Sequence, residues 1–159
     1  ALHDRRLEHL DRLAEATEVG RAARLLYVWL QPATGNMTYA SAGGCPPFLL
    51  DGGGSHGTFL AVDAGAPLGA AAQASRRDSA LVLTPGSTLL LFTEGLVQSA
   101  TVPWASGLER LREVVVGGPV DLDDLCDRVL TVGADKVRRD DDICLLAVRV
   151  PVATVSRRA

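Results

Sequence analysis

Apolar positions in this chain follow two periods. Residues 4–16 carry Leu7, Leu10, Leu13 and Ala14 at helical spacing with charges between, which predicts an amphipathic helix. From residue 23 the pattern becomes that of strands. Residues 23–30 are almost continuously apolar and read as a buried strand, residues 37–42 alternate, and Pro32, Gly35 and Asn36 supply turn chemistry between them, so a β-hairpin is predicted. Residues 48–50, 58–62, 79–83 and 88–92 predict further short strands. Pro85 and Gly86 at the centre of 84–87 suit a type II turn between the last two. Glycine, alanine and proline mark 63–75 as a loop.

Helical spacing returns at residues 107–116, where Leu108, Leu111 and Val115 share a face. Asp121 is a good N-cap for a second helix over 122–131, with Asp124 in its first turn. Residues 143–150 form the last strand, apolar enough to be central, and Pro151 stops it. Residues 151–159 read as a tail or linker. One helix, about six strands, two helices and a final strand predict an α+β fold, with helices layered on a mostly antiparallel sheet. Regular βα alternation with a glycine-rich first turn is absent, which argues against a dinucleotide-binding fold.

The chain has 159 residues, a length suited to one domain with a sizeable core. Its net charge of −3 gives no basic field for nucleic acid, and no apolar stretch is long enough to span a bilayer. The charged N-terminus lacks the apolar centre of a signal peptide. It starts without Met inside a helical pattern, so a piece of a longer protein is expected. Cys45, Cys126 and Cys144 form no metal or C-x-x-C spacing. Free thiols are expected, buried at 126 and 144, in a reducing cytoplasm.

Candidate chemistry sits in two acidic clusters at the ends of apolar strands. In one, Glu94 and Gly95 follow 88–92; in the other, Asp140, Asp141 and Asp142 precede 143–150. If those strands are neighbours, carboxylates meet at one edge of a sheet, and oxygen-only clusters suit hard cations such as Mg²⁺ or Mn²⁺. The same residues also suit solvated strand ends. Gly52, Gly53 and Gly54 lack the Gly-Lys-Ser/Thr ending of a phosphate loop and read as a turn, with His56 an exposed loop histidine. Arg138 and Arg139 adjoin the acidic cluster and could meet a phosphate.

Five segments in order give the chain a resemblance to the stage II sporulation protein E-like phosphatases, which belong to the PPM-type, metal-dependent protein phosphatases (type 2C). They are residues 25–35, the Ala42-Gly43-Gly44-Cys45-Pro46-Pro47 loop, the Gly65-Ala66-Pro67-Leu68-Gly69 loop, residues 92–97 and residues 140–146. The resemblance implies that residues 1–150 are the C-terminal two-thirds of such a domain. It implies a sandwich of two sheets flanked by helices, with two Mn²⁺ or Mg²⁺ ions in a cleft at one end. It also implies hydrolysis of phosphoserine or phosphothreonine by a metal-bridging water. By position, Glu94 and Asp141 are the metal carboxylates and Gly95 the close turn beneath the ions. Asp142, Asp140 and Arg139 are accessory, and Gly43, Gly44 and Pro46 form a loop near the site.

Departures from the family pattern shape the functional expectation. The early metal motifs would lie upstream of Ala1. Glu94 stands where the family has Asp, which displaces the carboxylate by about 1.5 Å. Gly44 stands where the family has a loop histidine. The resemblance therefore implies a phosphatase for a phosphorylated bacterial regulator of the anti-sigma-factor antagonist kind, impaired in this chain and joined to an upstream sensor domain. The alternative is a non-catalytic pseudophosphatase, or a module that binds a partner and passes a signal. No nucleic-acid or membrane partner is expected.

Overall fold

The computed structural model describes residues 10, 23–62, 65–70, 76–133 and 141–152. In chain order they form β1 (Leu25–Leu30), β2 (Asn36–Ala42), β3 (Phe48–Leu50), β4 (Gly57–Phe59), β5 (Ser79–Val82) and β6 (Thr88–Phe92). A 3-10 turn (Glu94–Leu96), α1 (Trp104–Val115), α2 (Leu122–Gly133) and β7 (Leu145–Arg149) follow. The class is α+β, as the apolar periods predict. Of the helix expected over 4–16 only Leu10 is described, and it is helical; the rest lies outside the described residues. The chain divides into two compact units, Ala1–Pro46 with Ala61–Val82, and Pro47–Leu60 with Leu83–Ala159.

The first unit holds a three-stranded sheet in the order β1-β2-β5. β1 and β2 make the predicted hairpin, with Leu25 opposite Ala42 and Leu30 opposite Met37. Its turn closes because Gln31 N–H donates to Asn36 O and Gly35 N–H to Gln31 O, both at 2.9 Å, with Gly35 at φ 72°. β2 is central, and Met37, Tyr39, Ala40 and Ala42 are buried. β1 corrects the buried-strand expectation: among the described residues it is an edge strand of half-buried residues, and Trp29 is 41% exposed. A continuous apolar run does not say which strand lies at a sheet's edge.

The second unit holds a four-stranded antiparallel sheet in the order β4-β3-β6-β7. Thr88, Leu89 and Leu90 of β6 are buried in succession, so both faces of this central strand are covered. Phe48, Leu89, Leu90, Val115, Leu125 and Val129 form the fully buried centre. Each such side chain contributes about 1.5–3 kcal/mol relative to exposure. The Phe48, Phe59 and Phe92 rings meet edge to face, with centroids 4.8 and 6.4 Å apart, and the Arg112 guanidinium lies 5.7 Å from the Phe59 centroid.

Both helices form, with one boundary shifted. α2 begins where Asp121 predicts, because Asp121 Oδ1 accepts the N–H groups of Asp123 and Asp124 at 2.9 and 3.1 Å. α1 begins at Trp104, after Pro103, rather than at Gly107. Gly107 is a contact residue inside the helix: a Cβ there would lie 1.6 Å from Val97 O. The turn at 84–87 forms, with Ser87 N–H on Thr84 O and Gly86 at φ 84°, but it links strands of different sheets.

Two further expectations are corrected. β7 is an edge strand among the described residues, with Leu146 53% exposed, not a central one. Cys144 is exposed, in the irregular segment that leads into β7, and Cys126 is half-buried on α2; all three cysteines are free thiols. Burial raises the pKa of Cys45 against the opposing pull of Arg24. Burial raises that of Cys126 too, with Asp123 and Asp127 adding to the effect. Neither thiol is therefore activated. No helix among the described residues is long and apolar enough to cross a membrane.

Candidate metal centre

The two acidic motifs belong to one unit and are stitched together by backbone contacts. β6 and β7 pair along their length, ending with Phe92 opposite Leu145. Beyond that point Thr93 clamps the incoming chain. Its N–H donates to Cys144 O at 3.0 Å, its Oγ1 donates to Asp142 O at 2.9 Å, and the same Oγ1 accepts Cys144 N–H at 2.8 Å. The strand ladder thus continues through a side chain for one more turn.

Glu94 and Gly95 then enter the 3-10 turn, held by Leu96 N–H on Thr93 O and Val97 N–H on Glu94 O. Gly95 passes directly over the second motif. A Cβ on it would lie 2.8 Å from Asp142 O and 2.9 Å from Asp141 O, so only glycine allows the approach. Glu94 is half-buried, while Asp141 and Asp142 are exposed. Asp141 Oδ1 accepts the N–H of Asp142 at 2.8 Å, which leaves Oδ2 for other partners. Asp140 and Arg139 lie outside the described residues.

The predicted loop residues Gly43, Gly44 and Pro46 belong to the first unit. There the loop is fixed tightly. Ser41 Oγ accepts Gly44 N–H at 3.0 Å, and a Cβ on Gly44 would lie 2.8 Å from the Leu25 carbonyl carbon. Gly43, at φ 71°, packs on Pro67, where a Cβ would come within 3.0 Å of Cγ. Ala23 and Leu68 exchange N–H···O bonds of 3.1 and 2.8 Å. The two glycine-rich loops of the resemblance are thereby neighbours. No side chain fits at Gly44, so the first side chain this loop presents after Ala42 is that of Cys45.

Thr93 is the residue of this junction whose role the sequence pattern does not announce. The available signal was a hydroxyl between an apolar strand and an acidic residue, where a β-ladder runs out of partners. Among the described residues, no group of three or more His, Cys, Asp or Glu side chains is placed to hold a metal ion. Glu94 and Asp141 lie on adjoining segments, and Mg²⁺ is commonly held by one or two carboxylates and keeps several waters. The two carboxylates do not by themselves fit a pair of ions.

Comparison with known proteins agrees with this reading of the fold. The family described as stage II sporulation protein E (SpoIIE) matches residues 3–151. No curated protein matches the chain. The RsbU and RsbW domains of Rv1364c from Mycobacterium tuberculosis are 24% identical, over 94% of this chain and 42% of that one, with a TM-score of 0.78. The phosphatase domain of SpoIIE from Bacillus subtilis is 14% identical, over 94% of this chain and 74% of that one, with a TM-score of 0.63. The PPM Ser-Thr phosphatase MsPP from Mycobacterium smegmatis, solved with cacodylate, is 15% identical, over 90% of this chain and 70% of that one, with a TM-score of 0.66. At such identities the structural matches show a shared fold. The family match carries the rest, and the chain belongs to the stage II sporulation protein E family.

Proposed function

We propose that this chain is part of a metal-dependent serine/threonine phosphatase domain with a weakened metal centre, acting on a phosphorylated bacterial regulator of the anti-sigma-factor antagonist kind. Residues 1–150 are its share of the domain. The observation that carries the reading is the junction of the two acidic motifs, where Thr93 Oγ1 bridges Asp142 O and Cys144 N and Gly95 lies against 141–142. Glu94 and Asp141 are the carboxylates that would hold Mn²⁺ or Mg²⁺. Asp142 and Asp140 are accessory acids, and Arg139 is a contact for the substrate phosphate. The bound ion would supply charge neutralisation for a phosphoryl oxygen and a water of lowered pKa.

The chain's own residues do the positioning. Thr93 fixes the separation of the two motif segments, and Gly95 lets them close. Glu94 weakens the site because its carboxylate is displaced by about 1.5 Å from where an aspartate would hold it, and Mg²⁺ demands near-ideal octahedral geometry. Glutamate at 94 and glycine at 44, where the family has aspartate and a loop histidine, favour a second reading, a pseudophosphatase that binds its phosphorylated partner without turnover.

The test is an assay with millimolar Mn²⁺ on an aryl phosphate and on a phosphorylated antagonist protein. The unaltered chain is expected to turn over barely above the blank. Glu94→Asp is expected to raise Mn²⁺-dependent turnover by about tenfold or more, and Asp141→Ala to abolish it, since moving a ligand should exceed the ~10–100-fold typical of groups that only orient one. Rapid turnover that survives Asp141→Ala contradicts the assignment. Binding of the phosphoprotein with no turnover in Glu94→Asp supports the second reading.

A further inference from the structure

The second unit also carries a cleft that the acidic motifs do not use. Its volume is about 430 Å³, within the ~300–1,000 Å³ of small-molecule sites. Glycines 52–54 and 117–118 line it, with Thr88, Val120 and Arg149. It lies at the far end of the β6–β7 pair from Glu94 and Asp141. Thr88 opposes Arg149 there, while Phe92 opposes Leu145 at the other end. The separation is about 14 Å at ~3.4 Å rise per residue.

Arg149 sets the chemistry of this cleft. Its Nε donates to Thr88 Oγ1 at 2.9 Å, and its Nη1 donates to the Val120 carbonyl. Both acceptors are neutral, and Arg149 makes no ion pair among the described residues. The guanidinium is therefore held in place with its charge uncompensated and Nη2 unused. The N–H groups of Gly52 and Gly53 likewise make no hydrogen bond among the described residues. Asp51 is the one carboxylate among the lining residues, and it is already engaged. Its Oδ1 accepts the N–H groups of Ser55 and His56 at 2.8 and 3.1 Å, and its Oδ2 lies 3.3 Å from His56 Nδ1.

An anchored guanidinium with an open edge, beside unspent backbone N–H groups, is the chemistry of oxyanion recognition. We propose that the cleft is a second binding site, for a small ligand bearing a phosphate or carboxylate group, held by Arg149 Nη2 and the Gly52 and Gly53 amides. Val120 and Val152, 81% and 67% exposed, border it and would cover an apolar part of that ligand. The proposal does not depend on phosphatase activity.

Amide ¹H–¹⁵N spectra of the chain, recorded while inorganic phosphate or acetate is added against chloride at matched ionic strength, test it. The Gly52 and Gly53 amides are expected to shift and saturate with phosphate, acetate or both, and the anion that saturates them identifies the group recognised. Arg149→Gln is expected to weaken binding by about tenfold or more, the loss of a charge-assisted hydrogen bond. Because Arg149 also ties Thr88 to Val120, Gly53→Asp provides an independent arm. A Cβ at Gly53 would meet only Asp51 Oδ2, at 3.9 Å, so the fold has room for it, and the added carboxylate should abolish binding. Shifts that grow without saturating, that chloride reproduces, or that persist in folded Gly53→Asp overturn the proposal.

Discussion

At the scale of single residues, the junction rests on one hydroxyl and one missing methyl group. Thr93→Val removes two hydrogen bonds, to Asp142 O and from Cys144 N–H, while keeping the shape of the side chain. It is expected to cost about 1–3 kcal/mol in chemical denaturation. Gly95→Ala drives a Cβ to within 2.8 Å of backbone oxygen and is expected to cost a similar ~1–3 kcal/mol, with both backbones forced apart. Equal stability in either variant would mean the segments are not held by these contacts. That the segments carrying Glu94, Gly95 and Asp141 adjoin was foreshadowed in the sequence, because both motifs flank strongly apolar strands that could pair. The part played by Thr93 was not, because a threonine reads the same whether it faces water or bridges two backbones. A further residue effect is titratable: His56 and Ser55 hydrogen bonds hold the Asp51 pKa below the ordinary carboxylate range. A depressed carboxylate pKa adds stability above the unfolded value and loses it as pH falls through the folded value. Asp51→Asn is therefore expected to lower stability in the neutral region, where the charged acceptor contributes, and to flatten the acid limb below about pH 4.

At the scale of elements, the sequence predicted most strands, both described helices and the β1–β2 hairpin, but not the order of strands across each sheet. Apolar period fixes which residues are buried on an element. It carries no record of sheet order, so β1 and β7 read as interior strands although, among the described residues, each pairs on one side only. The apolar period starts α1 at Gly107, yet the helix begins at Trp104, and Gly107 is where it presses on Val97 O. Two effects compete when Ala replaces it. Helix propensity favours Ala by about 1 kcal/mol, and a Cβ 1.6 Å from Val97 O is an overlap that packing cannot absorb. Gly107→Ala is therefore expected to lower the melting temperature rather than raise it; a gain would show that α1 can slide freely. Asp121→Ala removes the acceptor for two helix N–H groups and is expected to cost about 1 kcal/mol.

At the scale of the molecule, the chain is a member of the stage II sporulation protein E family whose two late acidic motifs adjoin in one unit. The family was legible because five short segments kept their order. What stayed illegible was the strength of the site, since that depends on how many oxygens reach one point, and sequence order does not report distance. The shared cation proposed for Glu94 and Asp141 is tested by calorimetric titration of the chain with Mn²⁺, alongside Glu94→Asp and Asp141→Ala. A single site of low affinity that tightens in Glu94→Asp and vanishes in Asp141→Ala is expected. Binding unchanged by Asp141→Ala would contradict it.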